Sequence, residues 1–342
     1  MSELPPTSND SMKKAILRSI RAALLELGSA TKVELSHKLG ISFPTVSKFL
    51  TQMAKDGEIF STGLDGSSGG RRAERYAYNP DCMLGLALFL EKTETNYTIF
   101  NCSGDIKEYG QTSGVLTGPI PGLTDQIGRI IAKYPKIRSI AVGVPGAVNN
   151  GRIIYIPGYE QFHQFDLKSY FEERFSIPVA VENDMNAAIL GYHLKGTQTD
   201  NPTLIYLNFG QNGPGAGILV NGDVVRGSTF FSGEVSFVPQ YDDRNFLQAL
   251  EREAGSEEEA LREKEIDAVS RLIASFTAIL NPHAIIFCVN EVSGSLLNLI
   301  ASRSAAYIPE EHLPELCTSD WKQDYLNGLQ HLGLDLMMWE KR

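Results

Sequence analysis

Cysteine is scarce in this 342-residue chain, and the four present, Cys82, Cys102, Cys288 and Cys317, are scattered singly. Without a C-x-x-C pair or a histidine at metal-ligand spacing, they argue against a disulfide scaffold or a zinc cluster and for buried reduced thiols. Also missing is any apolar run near the roughly 20 residues that cross a bilayer. The start, MSELPPTSND, has no apolar core behind a basic stretch, so no secretory signal is read there and a soluble cytoplasmic protein is expected. A basic excess is absent too: 31 Lys and Arg stand against 41 Asp and Glu, a net charge of −10. Over the whole chain that balance argues against nucleic acid as a partner.

The charge is unevenly spread. Residues 1–80 hold 11 Lys and Arg against 8 Asp and Glu, leaving 20 against 33 for residues 81–342. A mildly basic head on an acidic body is the asymmetry expected when only the head approaches phosphates.

In the head, Ser11 opens a segment in which Leu17, Ile20, Leu24 and Leu27 recur at helical spacing before Gly28 stops it, with Lys13, Lys14, Arg18 and Arg21 on the other faces. Thr31-x-x-Glu34 forms a capping box for a second helix closed by Gly40, and Ser42 is placed to cap a third, with Pro44 in its first turn. On this third helix Val46, Phe49, Leu50 and Met53 make one apolar stripe, so Thr45, Lys48, Gln52 and Lys55 face outward. Two β-prone pieces follow, Glu58 to Thr62 and Arg75 to Tyr78, around a Gly/Ser-rich tip carrying Arg71 and Arg72. Three helices with a tight turn and a basic hairpin, in this order, predict a winged helix-turn-helix over residues 1–80. Ser42, Thr45, Lys48, Gln52, Arg71 and Arg72 are its candidate contacts to double-stranded DNA.

From Met83 onward short apolar strands alternate with helices, the pattern of an α/β body. Strands are expected at Leu84 to Leu90, Tyr97 to Asn101, Ser139 to Val144, Val179 to Glu182 and Leu204 to Phe209. Helices are expected at Gly122 to Lys133, Leu167 to Phe175, Asn186 to Lys195 and Ile266 to Leu280. Glycine turns follow strands at Gly143-Val-Pro-Gly146 and Gly210-Gln-Asn-Gly-Pro-Gly215, where backbone amides can come close to a ligand. The charged stretch Glu251 to Glu265 is taken as solvated, and Leu326, Leu329, Leu332, Leu336 and Trp339 space a tail helix over Tyr325 to Trp339 that packs on a second subunit or, the reading favoured here, on the body. In PVAVENDMNAA, residues 178–188, a short apolar run ends on Asn183 and Asp184 where a helix begins. Such an acid can meet a ligand hydroxyl; equally, Asp184 can cap the helix from Met185 while Glu182 and Asn183 pair with nearby backbone.

These segments resemble the ROK family (repressors, open reading frames and kinases). IAVGVPGAVNNGRI is similar to its G-x-P-G-x-V-D segment, DLKSYFEERFSIPVAVENDMNAAILG to its E-N-D-x-N-A-A segment, and GAGILVNGDVVRGSTFFSGEVSF to its segment ending G-E-I-G-H. The winged head ahead of the body resembles the repressor branch. The resemblance implies a two-lobed, actin-like sugar-kinase body over residues 81–342, with lobes at about 81–190 plus the C-terminal helix and about 191–322. In family kinases the position of Asp184 is the general base on a sugar hydroxyl, and Gly146, Asn183 and Glu234 fall where a sugar is held.

The sequence departs from the kinases at the places that handle phosphate. Ala87 stands for the aspartate of the Asp-x-Gly-x-Thr turn, Phe89 and Leu90 are expected to crowd a phosphate, Gln211-Asn212-Gly213 replaces Gly-Thr-Gly, and Cys288-Val-Asn290 replaces a late glycine turn. Phe237 stands for the histidine after G-E-I-G, the zinc-binding cysteines are missing, and Tyr155 stands for an asparagine. No ATP, metal or other cofactor is therefore expected, and no catalysis. The expectation is a homodimeric or homotetrameric DNA-binding repressor of carbohydrate metabolism with a sugar or sugar-phosphate effector. An active kinase with an accessory head, and a DNA-binding module with a vestigial cleft, remain open at this point.

Overall fold

The computed structural model describes residues 8–65, 72–114, 116, 118–156, 159–196, 200–210, 213–241, 243–250 and 265–338. The head begins with α1 (Ser8–Leu27), β1 (Ala30–Thr31), α2 (Lys32–Leu39) and α3 (Phe43–Lys55). It ends in an antiparallel hairpin of β2 (Ile59–Leu64) and β3 (Glu74–Tyr78), with β1 on the far side of β3. The predicted capping box closes in both directions: the Glu34 amide donates to Thr31 Oγ1 (3.2 Å) and the Thr31 amide to Glu34 Oε2 (2.8 Å). Gly40 ends α2 at φ +64°, where a side chain would be strained. Ile20, Leu24, Leu35, Val46, Leu50 and Met53 are buried together, as their spacing requires.

Three expectations in the head need correction. α1 starts at Ser8, three residues before Ser11. Arg21 does not face solvent; it is 7% exposed and forks onto Glu58 Oε1 and Oε2, both at 2.9 Å. Helical periodicity scores a charged residue as outward and cannot see a carboxylate delivered beneath the helix from residue 58. Ser42 occupies the N-cap position of α3, yet its hydroxyl pairs with Thr45 Oγ1 at 2.8 Å and caps no backbone amide. The Gly/Ser-rich tip at 66–70, with Arg71, lies outside the described residues.

The body contains β4 (Leu84–Leu90), β5 (Glu94–Asn101) and β6 (Ile106–Ser113) as an antiparallel meander, then α4 (Ile120–Lys133) and β7 (Ile137–Val144). A small sheet of β8 (Ala147–Asn149), β9 (Arg152–Tyr155) and β10 (Phe165–Asp166) leads to α5 (Leu167–Phe175), β11 (Val179–Asn183) and α6 (Asp184–Leu194). Strand order in the larger sheet is β11-β7-β4-β5-β6, with β7 parallel to both β4 and β11.

A second five-stranded sheet repeats this plan. It uses β12 (Leu204–Asn208), β13 (Gly215–Val220) and β14 (Asp223–Val224). After a hairpin of β15 (Pro239–Tyr241) and β16 (Arg244–Asn245), the short α7 (Phe246–Ala249) and α8 (Ile266–Leu280), it is completed by β17 (Ala284–Cys288), α9 (Gly294–Ser304) and β18 (Glu315–Ser319). The order is β14-β13-β12-β17-β18, with β17 parallel to its two neighbours. Of the charged stretch expected to be solvated, only Glu265 is described, and it is buried where the chain turns into α8.

The chain closes with α10 (Trp321–Met338), which packs on the body against α6. It starts four residues before Tyr325, and Trp339 lies outside the described residues. Tyr325, Leu326 and Leu329 are buried, while Leu332 and Leu336 are half-buried. The two helices cross through glycines: a Cβ on Gly191 would lie 1.9 Å from the Asp324 carbonyl oxygen, and one on Gly328 1.9 Å from that of Ala187. One buried cluster runs without a break from Ile20 and Leu50 in the head through Tyr78, Met83 and Cys102 to Ala187 and Leu329 in the body. The head is thus joined to the first sheet by packing as well as by chain.

Candidate functional site

Between the two sheets lies a cavity of about 670 Å³, lined by the β4–β5 turn, the ends of β7, β11, β12 and β17, the 232–237 loop and the start of α10. Strand ends converging from two sheets are a common place for a small-molecule site. Gly146, Asn183, Asp184 and Glu234, far apart in sequence, all line this one cavity.

Asn183, not Asp184, caps α6. Its extended backbone (φ −64°, ψ 144°) lets Oδ1 accept the Asn186 amide at 2.9 Å, while Nδ2 donates to the Gly146 carbonyl (3.0 Å) and to Asp184 Oδ1 (2.9 Å). A cap must sit outside the helix and reach the third amide, and Asp184 is already the first helical residue. Its Oδ1 instead accepts the Met185 amide at 2.8 Å. Gly146 must be glycine, because a Cβ there would fall 2.2 Å from the Tyr155 carbonyl. Glu182 is 7% exposed; Oε1 accepts from the Asn183 backbone (3.0 Å) and Asn186 Nδ2 (3.1 Å), and Oε2 takes the Arg226 guanidinium. Arg226 follows β14 and Glu182 is the last residue but one of β11, so this ion pair ties the two sheets together behind the cavity.

Burial pushes the Asp184 carboxyl up to about 7, with the Met185 amide opposing and the Glu234 carboxylate across the cavity reinforcing the rise. Glu234 is raised by burial as well. At the β4–β5 turn, burial and a hydrogen bond with Glu94 push Glu91 up to about 7. Its partner Glu94, bonded to Glu91 and Asn96, is held down to about 2. A carboxylate whose folded pKa exceeds its unfolded value of about 3.9 holds its proton more tightly when folded, so stability falls as pH rises from about 4 to about 7. We expect the melting temperature to fall less between about pH 5 and pH 8 in Asp184→Asn than in the wild type; equal falls would mean that Asp184 titrates normally.

Several expectations about this wall change. Phe89 does not crowd the cavity: it is buried in β4 with its ring 5.1 Å from that of Tyr325, because alternation along the strand turns it to the opposite face from Leu90. Leu90 does line the cavity, and Ala87 is fully buried within β4. Phe237 (57% exposed) packs on Phe231 at 5.3 Å, and it lines the opening with Tyr155. Cys288, Asn290 and Gly213 line the cavity, whereas Gln211 and Asn212 lie outside the described residues. Sequence reasoning missed Glu91, Glu94, Trp321, Lys322 and Tyr325, all lining residues. The tail's helical pattern pointed only to packing, and nothing local marked its first turn as part of a cavity.

In the head, Lys48 and Gln52 are exposed on α3, and Thr45 is half-buried against Ser42. Gln52 is engaged by both Asp56 carboxylate oxygens, at 3.0 and 2.9 Å. Arg72 is exposed.

Two like-built five-stranded sheets around a cavity, with an acid at a strand-to-helix junction, place the body in the class of actin-like sugar-kinase folds. Residues 87–242 match the model of the ROK family. It is similar to the xylose repressor of Bacillus subtilis, 26% identical over 233 residues that cover 66% of this chain and 60% of that one. It is likewise similar to the DNA-binding transcriptional dual regulator NagC of Escherichia coli, at 24% over 67% of this chain and 58% of the relative. A shorter stretch is 36% identical to the β-glucoside kinase of Listeria monocytogenes, covering 32% of this chain and 37% of the kinase. The chain thus spans about 60% of the length of the curated repressors it matches. In three dimensions, the crystal structure of a ROK family transcriptional regulator homologous to the E. coli MLC protein superposes with a TM-score of 0.69 at 18% identity. That match covers 96% of this chain and 98% of the other. Among the described residues no helix is long and apolar enough to cross a membrane.

Proposed function

We propose that this chain is a sequence-specific, DNA-binding transcriptional repressor of carbohydrate metabolism that acts in the cytoplasm and senses a sugar or sugar derivative in its cavity. The head, residues 1–80, is read as a winged helix-turn-helix and the body, 81–342, as a sensor of two lobes, about 81–190 with the C-terminal helix and about 191–322. The observation that carries this reading is a fold match that takes in head and body together, over 96% of the chain. The relatives named as a xylose repressor and NagC point the same way. Catalysis is not part of the proposal. Where a phosphate would need a glycine turn and a cation, the β4–β5 turn offers Glu91 and Glu94, and Asp184 is left to hold a hydroxyl with Asn183, Glu234 and the backbone at Gly146.

The coupling follows from the packing. Ligand bound between the sheets favours the lobe arrangement it contacts best. Because Tyr78, Met83 and Cys102 belong to one cluster with the helices beneath the first sheet, that lobe carries its head as it moves. In a homodimer or homotetramer, paired heads must meet half-sites about one helical turn apart, so a small lobe rotation releases DNA. The test is fluorescence anisotropy with DNA from upstream of the gene, with and without a sugar panel. Binding that no sugar alters would overturn the sensor, and sugar-dependent ADP release would restore the kinase reading. Lys48→Ala is expected to weaken binding and lower the salt slope by about 0.9, the share of one phosphate contact. Arg72→Ala tests the hairpin in the same way, while Arg71 lies outside the described residues. Unchanged slopes in both would place the DNA surface elsewhere.

A further inference from the structure

We propose that the cavity selects an uncharged or amino sugar and rejects its phosphorylated form, with Tyr325 and Trp321 as sugar-recognising residues. This rests on the sensor reading above and specifies its ligand class. The first argument is where the backbone amides around the cavity already point. Anions are usually held by the free amides of a helix start or a glycine loop. At the start of α6 those amides are taken internally: Met185 donates to Asp184 and Asn186 to Asn183. The start of α10 is filled likewise, as the Gln323 amide donates to Asp320 Oδ1 at 3.1 Å. At the loop after β12, the Phe209 amide is bonded to Glu291 Oε1 at 2.8 Å and the Gly210 amide to Asn208 Oδ1 at 2.9 Å. At these described amides the protein's own carboxyl and carboxamide groups already hold the donors that a phosphate would use.

Charge adds to this exclusion. Six carboxyl groups line the cavity, Glu91, Glu94, Asp184, Glu234, Glu291 and Asp320, against two lysines, Lys92 and Lys322, and with Glu91 and Asp184 raised to about 7 the negative excess grows as pH rises through neutrality. Lys322 is held between Glu91 (3.4 Å) and Glu94 (3.0 Å), and no arginine lines the cavity among the described residues. A phosphate ester would enter with a charge of about −1.5 to −2 and meet an excess of like charge in a partly enclosed space.

What the wall does offer suits hydroxyls and ring carbons. Tyr325 is 1% exposed, lines the cavity, and its hydroxyl has no hydrogen-bond partner among the described residues. The indole N–H of Trp321, also on the wall, is buried and unpartnered among the described residues. Buried donors are rarely left unmade, and these two are supplied by rings only 5.3 Å apart. On the same cavity, Asp184, which burial raises to about 7, can accept from or donate to vicinal hydroxyls according to its protonation, and Glu234, also raised by burial, adds a second carboxyl group. A neutral sugar has the donors, acceptors and apolar faces for both walls, and an amino sugar would gain further from the carboxylates.

Calorimetric titration of the full chain would pair D-glucose, D-glucosamine and N-acetyl-D-glucosamine with their 6-phosphates, and D-xylose with its 5-phosphate. We expect one or more of the unphosphorylated sugars to bind, with its phosphate at least about 100-fold weaker. In the double variant Glu91→Gln, Glu94→Gln the gap should narrow about ten-fold. Tyr325→Phe should weaken the preferred sugar about ten-fold without lowering the melting temperature of the unliganded protein, because the hydroxyl it removes has no partner. A phosphorylated sugar binding as tightly as its parent overturns the selection and leaves the sensor reading standing. Binding of neither class overturns both, and unchanged affinity in Tyr325→Phe overturns the role of that residue.

Discussion

Glu58→Ala is expected to destabilise the head by about 3–5 kcal/mol, because it leaves the Arg21 guanidinium buried without a counter-charge. Both side chains are less than one-tenth exposed, so water cannot replace the lost partner. DNA binding should fall with the fold of the head, although Lys48 and Arg72 on its surface are untouched. Replacing both partners with apolar residues of similar size, Arg21→Met with Glu58→Leu, is expected to be neutral or stabilising, since the pair bears the cost of desolvating two charges. Thermal unfolding followed by circular dichroism checks both. A Glu58→Ala protein as stable as the wild type would show that the pair is hydrated in solution.

Gly328→Ala is the second large effect, at about 3 kcal/mol. The added methyl would sit 1.9 Å from the Ala187 carbonyl oxygen and 2.7 Å from its carbon. Those are backbone atoms of α6, which cannot rotate away as a side chain can, so α10 must back off. That movement draws Tyr325 and Trp321 from the cavity wall and separates them from Asp184, so sugar response should be lost together with stability. Gly122→Ala is the control: it lies within α4, a Cβ there meets nothing within 4 Å, and the change should be neutral or add up to about 1 kcal/mol. Equal melting temperatures for the Gly328 and Gly122 variants would mean that the crossing of α6 and α10 is looser than the structure has it.

The elements legible in the sequence were those governed by neighbours a few residues away. The capping box at Thr31 and Glu34, strand Leu84–Leu90, helix Leu167–Phe175 and helix Ile266–Leu280 are found where period and cap residues placed them. Strands β6 and β18 were missed, because Ile106–Ser113 and Glu315–Ser319 lie at sheet edges and carry too few apolar residues to announce a buried face. At the site, Asn183 and Asp184 of PVAVENDMNAA line the cavity, and of the two readings open for Asp184 the capping one goes instead to Asn183, whose backbone lies outside the helix.

By itself, the sequence determined the division of charge between head and body, the order of helices and strands, and the acid at the junction of β11 and α6, since each depends on composition or on spacing within a short window. Only the tertiary structure decided that Arg21 is buried on Glu58, that Gly191 and Gly328 let α6 and α10 touch, and that Tyr325 and Trp321 reach the cavity of Asp184, about 140 residues earlier in the chain. Those outcomes depend on which surfaces meet when the chain closes, and a contact between distant segments leaves no local period to be read.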